Sequence, residues 1–248
     1  MSIQIQSHFR TTAWELVRQA GDRTTESGQQ ALEELCRQYW YPLYAFLRRR
    51  GHSKDDAADV VQGFFESILR REGMARVEQR QGRFRSWLLT SLKNYQADEH
   101  RKAQTLKRGG DRVLVSLDAD EAERRYQLEP IDDVAPEAAF GRHWVLGILE
   151  RARDALETEY AKRNRTDVFR ALEPELYTGD RPDGDAVRAL GLSQVALRVA
   201  RHRLRKRYAE EIRAAARATL GEGLDEEEEL HLLLQAVQPS SPRTDSRL

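Results

Sequence analysis

The stretch after Ser53 leaves little choice of secondary structure. Ala57, Val60, Val61, Phe64, Phe65, Ile68 and Leu69 recur at steps of three and four, and Asp55 and Asp56 stand in the first turn. That is an amphipathic helix with a serine cap and acids at its positive end. Asp55, Asp59, Gln62 and Glu66, spaced four, three and four, form one line on the opposite face, expected to be exposed. Gly63 lies in the interior, where it costs about 1 kcal/mol relative to Ala. Something should therefore approach the backbone closely there.

The same period runs through the rest of the chain. Leu32, Leu35, Cys36, Tyr39, Leu43, Phe46 and Leu47 follow Ser27, with Gln30 placed for a capping box, and Arg48-Arg49-Arg50-Gly51 closes the element. Pro42 predicts a kink or a break within it. A third helix, from Phe84 to Lys102, should bury Phe84, Trp87, Leu88, Leu92 and Tyr95 and stop at Lys107-Arg108-Gly109-Gly110. Val113 to Leu117 reads as a short strand, yet no partner strand is visible, so extended linker is the expectation. Pro130 and Pro136 bracket the start of a second domain. There, Trp144, Ile148, Leu149, Ala152, Leu156 and Tyr160 form a long helix, Val168 to Leu176 a shorter one, and Thr178 to Gly184 a turn. Asp185–Leu190, a Gly191-Leu192-Ser193 turn and Gln194 to about Arg217 then describe a helix-turn-helix. The tail from Pro239 to Leu248 is polar and expected to be disordered.

Charge matters through its distribution. Lys plus Arg (41) equals Asp plus Glu (41), a formal net charge of zero. Met74–Arg112 nevertheless holds ten bases and four acids, and Val195–Arg217 eight and two, net +6 each. Asp111–Phe140 holds nine acids and three bases, and Glu222–Glu229 six acids and no base. Two basic blocks separated by an acidic connector suit a clamp on a polyanion; solvated helical faces are the other reading. At 248 residues, two small domains are expected. No apolar run approaches a membrane span, and Met1–Arg10 has no signal-peptide character, so the expected location is cytoplasmic.

Catalytic readings find no footing. One cysteine, Cys36, sits in an apolar stripe, as a buried structural thiol does. The six histidines are scattered, with no metal-ligand spacing, and there is no phosphate-binding glycine loop or nucleophile elbow. No metal and no cofactor is expected.

Tyr39 to Gly110, with Asp59-Val60-Val61-Gln62-Gly63-Phe64-Phe65 and Phe84-Arg85-Ser86-Trp87-Leu88-Leu89-Thr90-Ser91-Leu92-Lys93-Asn94, resembles region two of bacterial sigma factors of the extracytoplasmic-function (ECF) class. Ala189-Leu190-Gly191-Leu192-Ser193 and Arg198 to Tyr208 resemble region four of that class. The resemblance implies an all-α fold of two small helical domains. Region two would span 9–110, an acidic linker 111–135, region four 136–220, and an acidic and apolar extension with a disordered tail 221–248. It implies a non-enzymatic transcription initiation factor whose partners are core RNA polymerase and promoter DNA, with an anti-sigma factor as a further candidate partner.

Carried onto residues, the resemblance assigns core-polymerase binding to Asp56, Asp59, Gln62 and Glu66. It assigns the minus-ten element to Arg85, Trp87, Lys93, Asn94, Arg101 and Lys102, and the minus-thirty-five element to Ser193, Gln194, Arg198, Arg201 and Arg205. Arg203, Lys206 and Arg207 would touch phosphate. Trp87 stays open between base stacking and plain core. Arg201 stands where the family keeps an apolar residue, so it snorkels or the helix packs differently. A standalone helix-turn-helix regulator is the alternative function, and a helical adaptor a third. The charge map adds one expectation: the connector and the Glu226–Glu229 run lie over the basic helices in the free protein, an attraction that salt weakens.

Overall fold

The computed structural model describes residues 13–22, 24–70, 82–105, 119–129, 134–177, 184–221 and 223–237, and among them there are helices and turns and no strand. The all-α expectation therefore holds. The stop at 107–110, the segment 113–117, Pro130, the turn at 178–183 and the tail from Pro239 lie outside the described residues, as does the Lys102 side chain. The chain divides into two compact units, residues 14–145 with 221–248 and residues 1–13 with 146–220.

The larger unit is built on α2 (Glu26–Arg49), α3 (Lys54–Arg70) and α4 (Phe84–Thr105). Leu35, Tyr39, Leu43 and Phe46 of α2 are buried with Ala57, Val61, Phe64 and Phe65 of α3 and Phe84, Leu88 and Leu92 of α4. α1 (Ala13–Ala20) adds Trp14, whose ring meets Phe84 edge-on at 5.0 Å. α6 (Pro136–Lys162) adds Trp144, stacked on Tyr39 at 4.8 Å. Gly63 meets its expected neighbour: a Cβ there would lie 2.3 Å from the Tyr95 hydroxyl of α4.

One local expectation for α2 is corrected, and of the two outcomes expected at Pro42 the break does not occur. The cap of α2 is Thr25, not Ser27: Thr25 Oγ1 accepts the Gly28 N–H at 3.1 Å. The helix also continues through Pro42 without a break. Proline removes one backbone donor, but Pro42, Leu43, Tyr44 and Leu47 are all buried, and their packing holds the helix together.

The connector is not bare linker. Residues Ala119–Gln127 form α5, which lies against α2 and α3. Glu123 pairs with Arg48 at 3.2 Å and accepts from the Tyr44 hydroxyl, Asp120 pairs with Lys54, and Arg125 sits 4.2 Å over the Tyr41 ring. The acids of α5 thus answer the basic end of α2 and the start of α3 rather than either basic block. Just beyond α5, Glu129 collects Arg49 at 3.3 Å, His143 Nε2 at 2.5 Å and the Tyr41 hydroxyl. Burial alone would raise the Glu129 carboxyl; the hydrogen bonds from His143 and Tyr41 hold it below the usual range. The last helix of the unit, α10 (Glu226–Val237), buries Glu229 and Leu233.

The smaller unit packs the second half of α6 with α7 (Thr166–Leu172) and α9 (Gln194–Arg217), a 3₁₀ turn (Glu173–Leu176) following α7. Its core is Ala152 and Leu156 with Val168, Phe169 and Leu172, closed by Leu197, Leu204 and Tyr208. α8 (Gly184–Ala189) leads into the expected turn: Gly191 takes φ +61, a conformation few side chains tolerate. Ser193 then caps α9 by accepting the Ala196 N–H at 3.2 Å.

Candidate nucleic-acid interface

Three helices carry the residues the sequence singles out. On α3, Asp56 is part of a reciprocal cap: its N–H donates to Ser53 Oγ at 3.1 Å, and the Ser53 hydroxyl donates to its Oδ2 at 2.7 Å. Asp55, Asp56 and Asp59 are exposed and Gln62 is half-buried. Glu66 departs from the expected exposed line, being 9% exposed, with the Gln62 amide donating to its carboxylate at 3.4 Å. The acidic face is thus the first half of α3.

On α4 the predicted residues separate into three settings. Trp87, Asn94 and Arg101 are seven apart and share one face. Asn94 and Arg101 are exposed, Arg101 paired with Asp98 one turn back, while the half-buried Trp87 ring lies 5.4 Å from Trp14 and 5.3 Å from Phe84. Lys93 turns aside, 2.8 Å from Glu137 and 5.6 Å above the Phe46 ring. Arg85 lies elsewhere again, 3.1 Å from the fully buried carboxylate of Glu229.

Arg83, which the sequence marks only as part of the basic block, shares that carboxylate. Its Nε donates to Glu229 Oε2 at 2.6 Å, and its Nη2 lies 3.1 Å from Glu228. Burial would lower the Arg83 guanidinium, but the bond to Glu229 raises it overall; burial draws Arg85 below its usual range. The only sequence signal for this cluster is the opposite charge of the two segments.

On α9, Ser193 is occupied as a cap, and Gln194 and Arg198 are exposed. Arg201 and Arg205 converge on Glu175 of the 3₁₀ turn, at 2.6 and 3.1 Å, and Glu175 is 7% exposed. That accounts for an arginine where an apolar residue would be usual: it covers a buried acid rather than snorkelling past the core. Arg207 is held by Glu159, Glu210 and Glu211, whereas Arg203 and Lys206 are exposed. Beside them runs a groove of about 620 Å³ with Tyr160, Val168 and Leu192 in its wall and Arg163 and Arg165 on its rim.

The described residues include no cluster of His, Cys, Asp or Glu suited to a metal, and no helix among them is long and apolar enough to cross a membrane. What the arrangement offers is charge and hydrogen bonding: an acidic helix face, an amide and guanidinium row beside an aromatic, and a capped helix with exposed arginine.

Residues 35–105 match the family model described as Sigma-70 region 2, a span that runs from α2 through α3 to the end of α4. No curated protein and no solved structure matches the chain. Over this region the chain is similar to the sigma-70 sigma factors, a family of non-enzymatic transcription initiation factors, and the match supports a sigma factor.

Proposed function

We propose that this protein is a sigma factor of the ECF type, which binds core RNA polymerase, directs it to a two-part promoter and assists opening. The observation that carries the reading is the coincidence of the region-two match with α2 to α4, the helices bearing the acidic face and the Trp87, Asn94 and Arg101 row. In this reading Asp56, Asp59, Gln62 and Glu66 serve the polymerase, the exposed aspartates steering α3 to a basic partner surface and the half-buried Gln62, bonded to the buried Glu66, fixing the register. Arg85, Trp87, Lys93, Asn94, Arg101 and Lys102 serve the minus-ten strand, where stacking on an aromatic is worth about 1–3 kcal/mol per base. Ser193, Gln194, Arg198, Arg201 and Arg205 address the minus-thirty-five groove, where arginine suits guanine edges. The protein would act in the cytoplasm, with an anti-sigma factor as a further partner.

The helix-turn-helix of α8 and α9 also suits a standalone regulator. Affinity capture with purified core RNA polymerase, followed by run-off transcription, separates the two. Association and promoter-dependent transcripts are expected; duplex binding without association would replace the sigma reading with the regulator.

A further inference from the structure

The cluster of Arg83 and Arg85 with Glu228 and Glu229 exceeds what docking a helix requires. Asp225 already caps α10, its Oδ1 accepting the Glu227 N–H at 2.9 Å. The first turn nonetheless carries four glutamates. Favourable interaction with the helix dipole explains acids there, but not the burial of one of them. Glu229 is fully buried against two guanidinium groups, 146 and 144 residues away in sequence. Just before α10 the chain is tied to the residue preceding Arg83, Gly221 N–H donating to the Gly82 carbonyl at 3.2 Å.

The pairing is incomplete on one side. Both arginines lie within hydrogen-bonding reach of Glu229 Oε2, while Oε1 is buried with no hydrogen-bond partner among the described residues. A buried ion pair repays its desolvation only when its remaining lone pairs are also satisfied. Apolar anchorage centres on the buried Leu233, with Leu230 and Leu232 half-buried and Leu234 61% exposed. The unsatisfied carboxylate oxygen offsets part of that anchorage, and release of the helix uncovers two arginines at the start of α4.

We propose that Arg83 and Arg85 form a phosphate site for a single DNA strand, and that Glu228 and Glu229 of α10 occupy it in place of phosphate in the free protein. Two guanidinium groups converging on one carboxylate are equally suited to a phosphodiester, which offers the same anionic oxygens. α10 is then a built-in competitor: strand and helix exclude each other, and whatever releases the helix opens the site. The identification of the strand as promoter DNA rests on the sigma reading; the covered anion site itself does not.

The test uses the full chain and a fluorescein-labelled oligodeoxythymidylate, with hydrogen exchange of the 226–237 amides to report release of α10. The paired substitutions Glu228→Gln and Glu229→Gln should speed that exchange and tighten oligonucleotide binding. They should steepen the plot of log affinity against log salt by about 0.7 for each further phosphate neutralised, about 1.4 for two. The gain over the unsubstituted protein would then shrink about sevenfold between 50 and 200 mM salt. Adding Arg83→Ala and Arg85→Ala should abolish the gain. Leu233→Ala, which loosens α10 with its carboxylates intact, should produce a smaller gain of the same sign. Unchanged affinity and slope in the glutamine variant overturn the proposal, as does a gain that survives loss of both arginines. Polymerase capture of the unsubstituted chain tests the sigma reading separately, since the oligonucleotide titration involves no polymerase.

Discussion

Gly63 shows how one position can be decided against local preference. Alanine there would recover about 1 kcal/mol of helix propensity. Its Cβ would also fall 2.3 Å from the Tyr95 hydroxyl, and overpacking of this kind costs about 1–3 kcal/mol. Steric conflict wins in that comparison, so Gly63→Ala should destabilise the protein by about 1 kcal/mol in urea unfolding. Adding Tyr95→Phe removes the obstructing oxygen and should return part of the loss. If the double variant is no more stable than the single one, the hydroxyl is not what glycine accommodates. Glu175 teaches a related lesson. An acid in a short turn gives no warning from sequence that it is buried, and its burial redirects Arg201 and Arg205.

Among elements, α5 changes the account most. The connector reads as acidic spacer because its composition is far from that of a core, yet Ala122 is buried and the acids around it meet Arg48, Arg49 and Lys54. Glu129, just beyond α5, makes this docking sensitive to pH. Its carboxyl is depressed in the folded protein, despite the raising effect of burial, by bonds from His143 and Tyr41. A depressed folded value means that the stabilisation is present above the unfolded glutamate range, near pH 4.5, and is lost as pH falls through the folded value. Glu129→Gln should therefore be less stable than the unsubstituted protein at neutral pH, and the gap should narrow as pH falls below the usual glutamate range. Urea unfolding at several pH values measures it; a gap independent of pH would place the stabilisation elsewhere.

For the whole molecule, a net charge of zero is the sum of opposed segments. Within the larger unit the acids of α5 and α10 are spent on arginines and a lysine of α2, α3 and the approach to α4. On α9, Arg198, Arg203 and Lys206 stay exposed. Duplex binding should accordingly be strongly salt-dependent despite neutrality. Replacing Arg198, Arg203 and Lys206 together by alanine should flatten the log–log salt plot by about 0.9 for each phosphate no longer neutralised. A slope unchanged by the triple replacement would remove this face of α9 from the duplex interface. Much of this is legible in the sequence. The Ser193 cap and the Gln194–Arg217 helix follow from spacing and turn chemistry, as does the close approach at Gly63. The setting of Arg85 is not, because its partner lies 144 residues on.

Sequence alone did not determine α1, α5 or α10, but it determined the helices with a strong apolar period, α2, α3, α4, α6 and α9. Their periods, caps and glycine stops are interactions within a few residues, so local physics decides them wherever neighbours do not compete; at Thr25 and Pro42, neighbours did. Tertiary structure alone decided which charges are spent on one another: Glu229 on Arg83 and Arg85, Glu175 on Arg201 and Arg205, Glu129 on Arg49. Charge carries no direction along a chain, and burial is what turns a count of acids and bases into particular pairs.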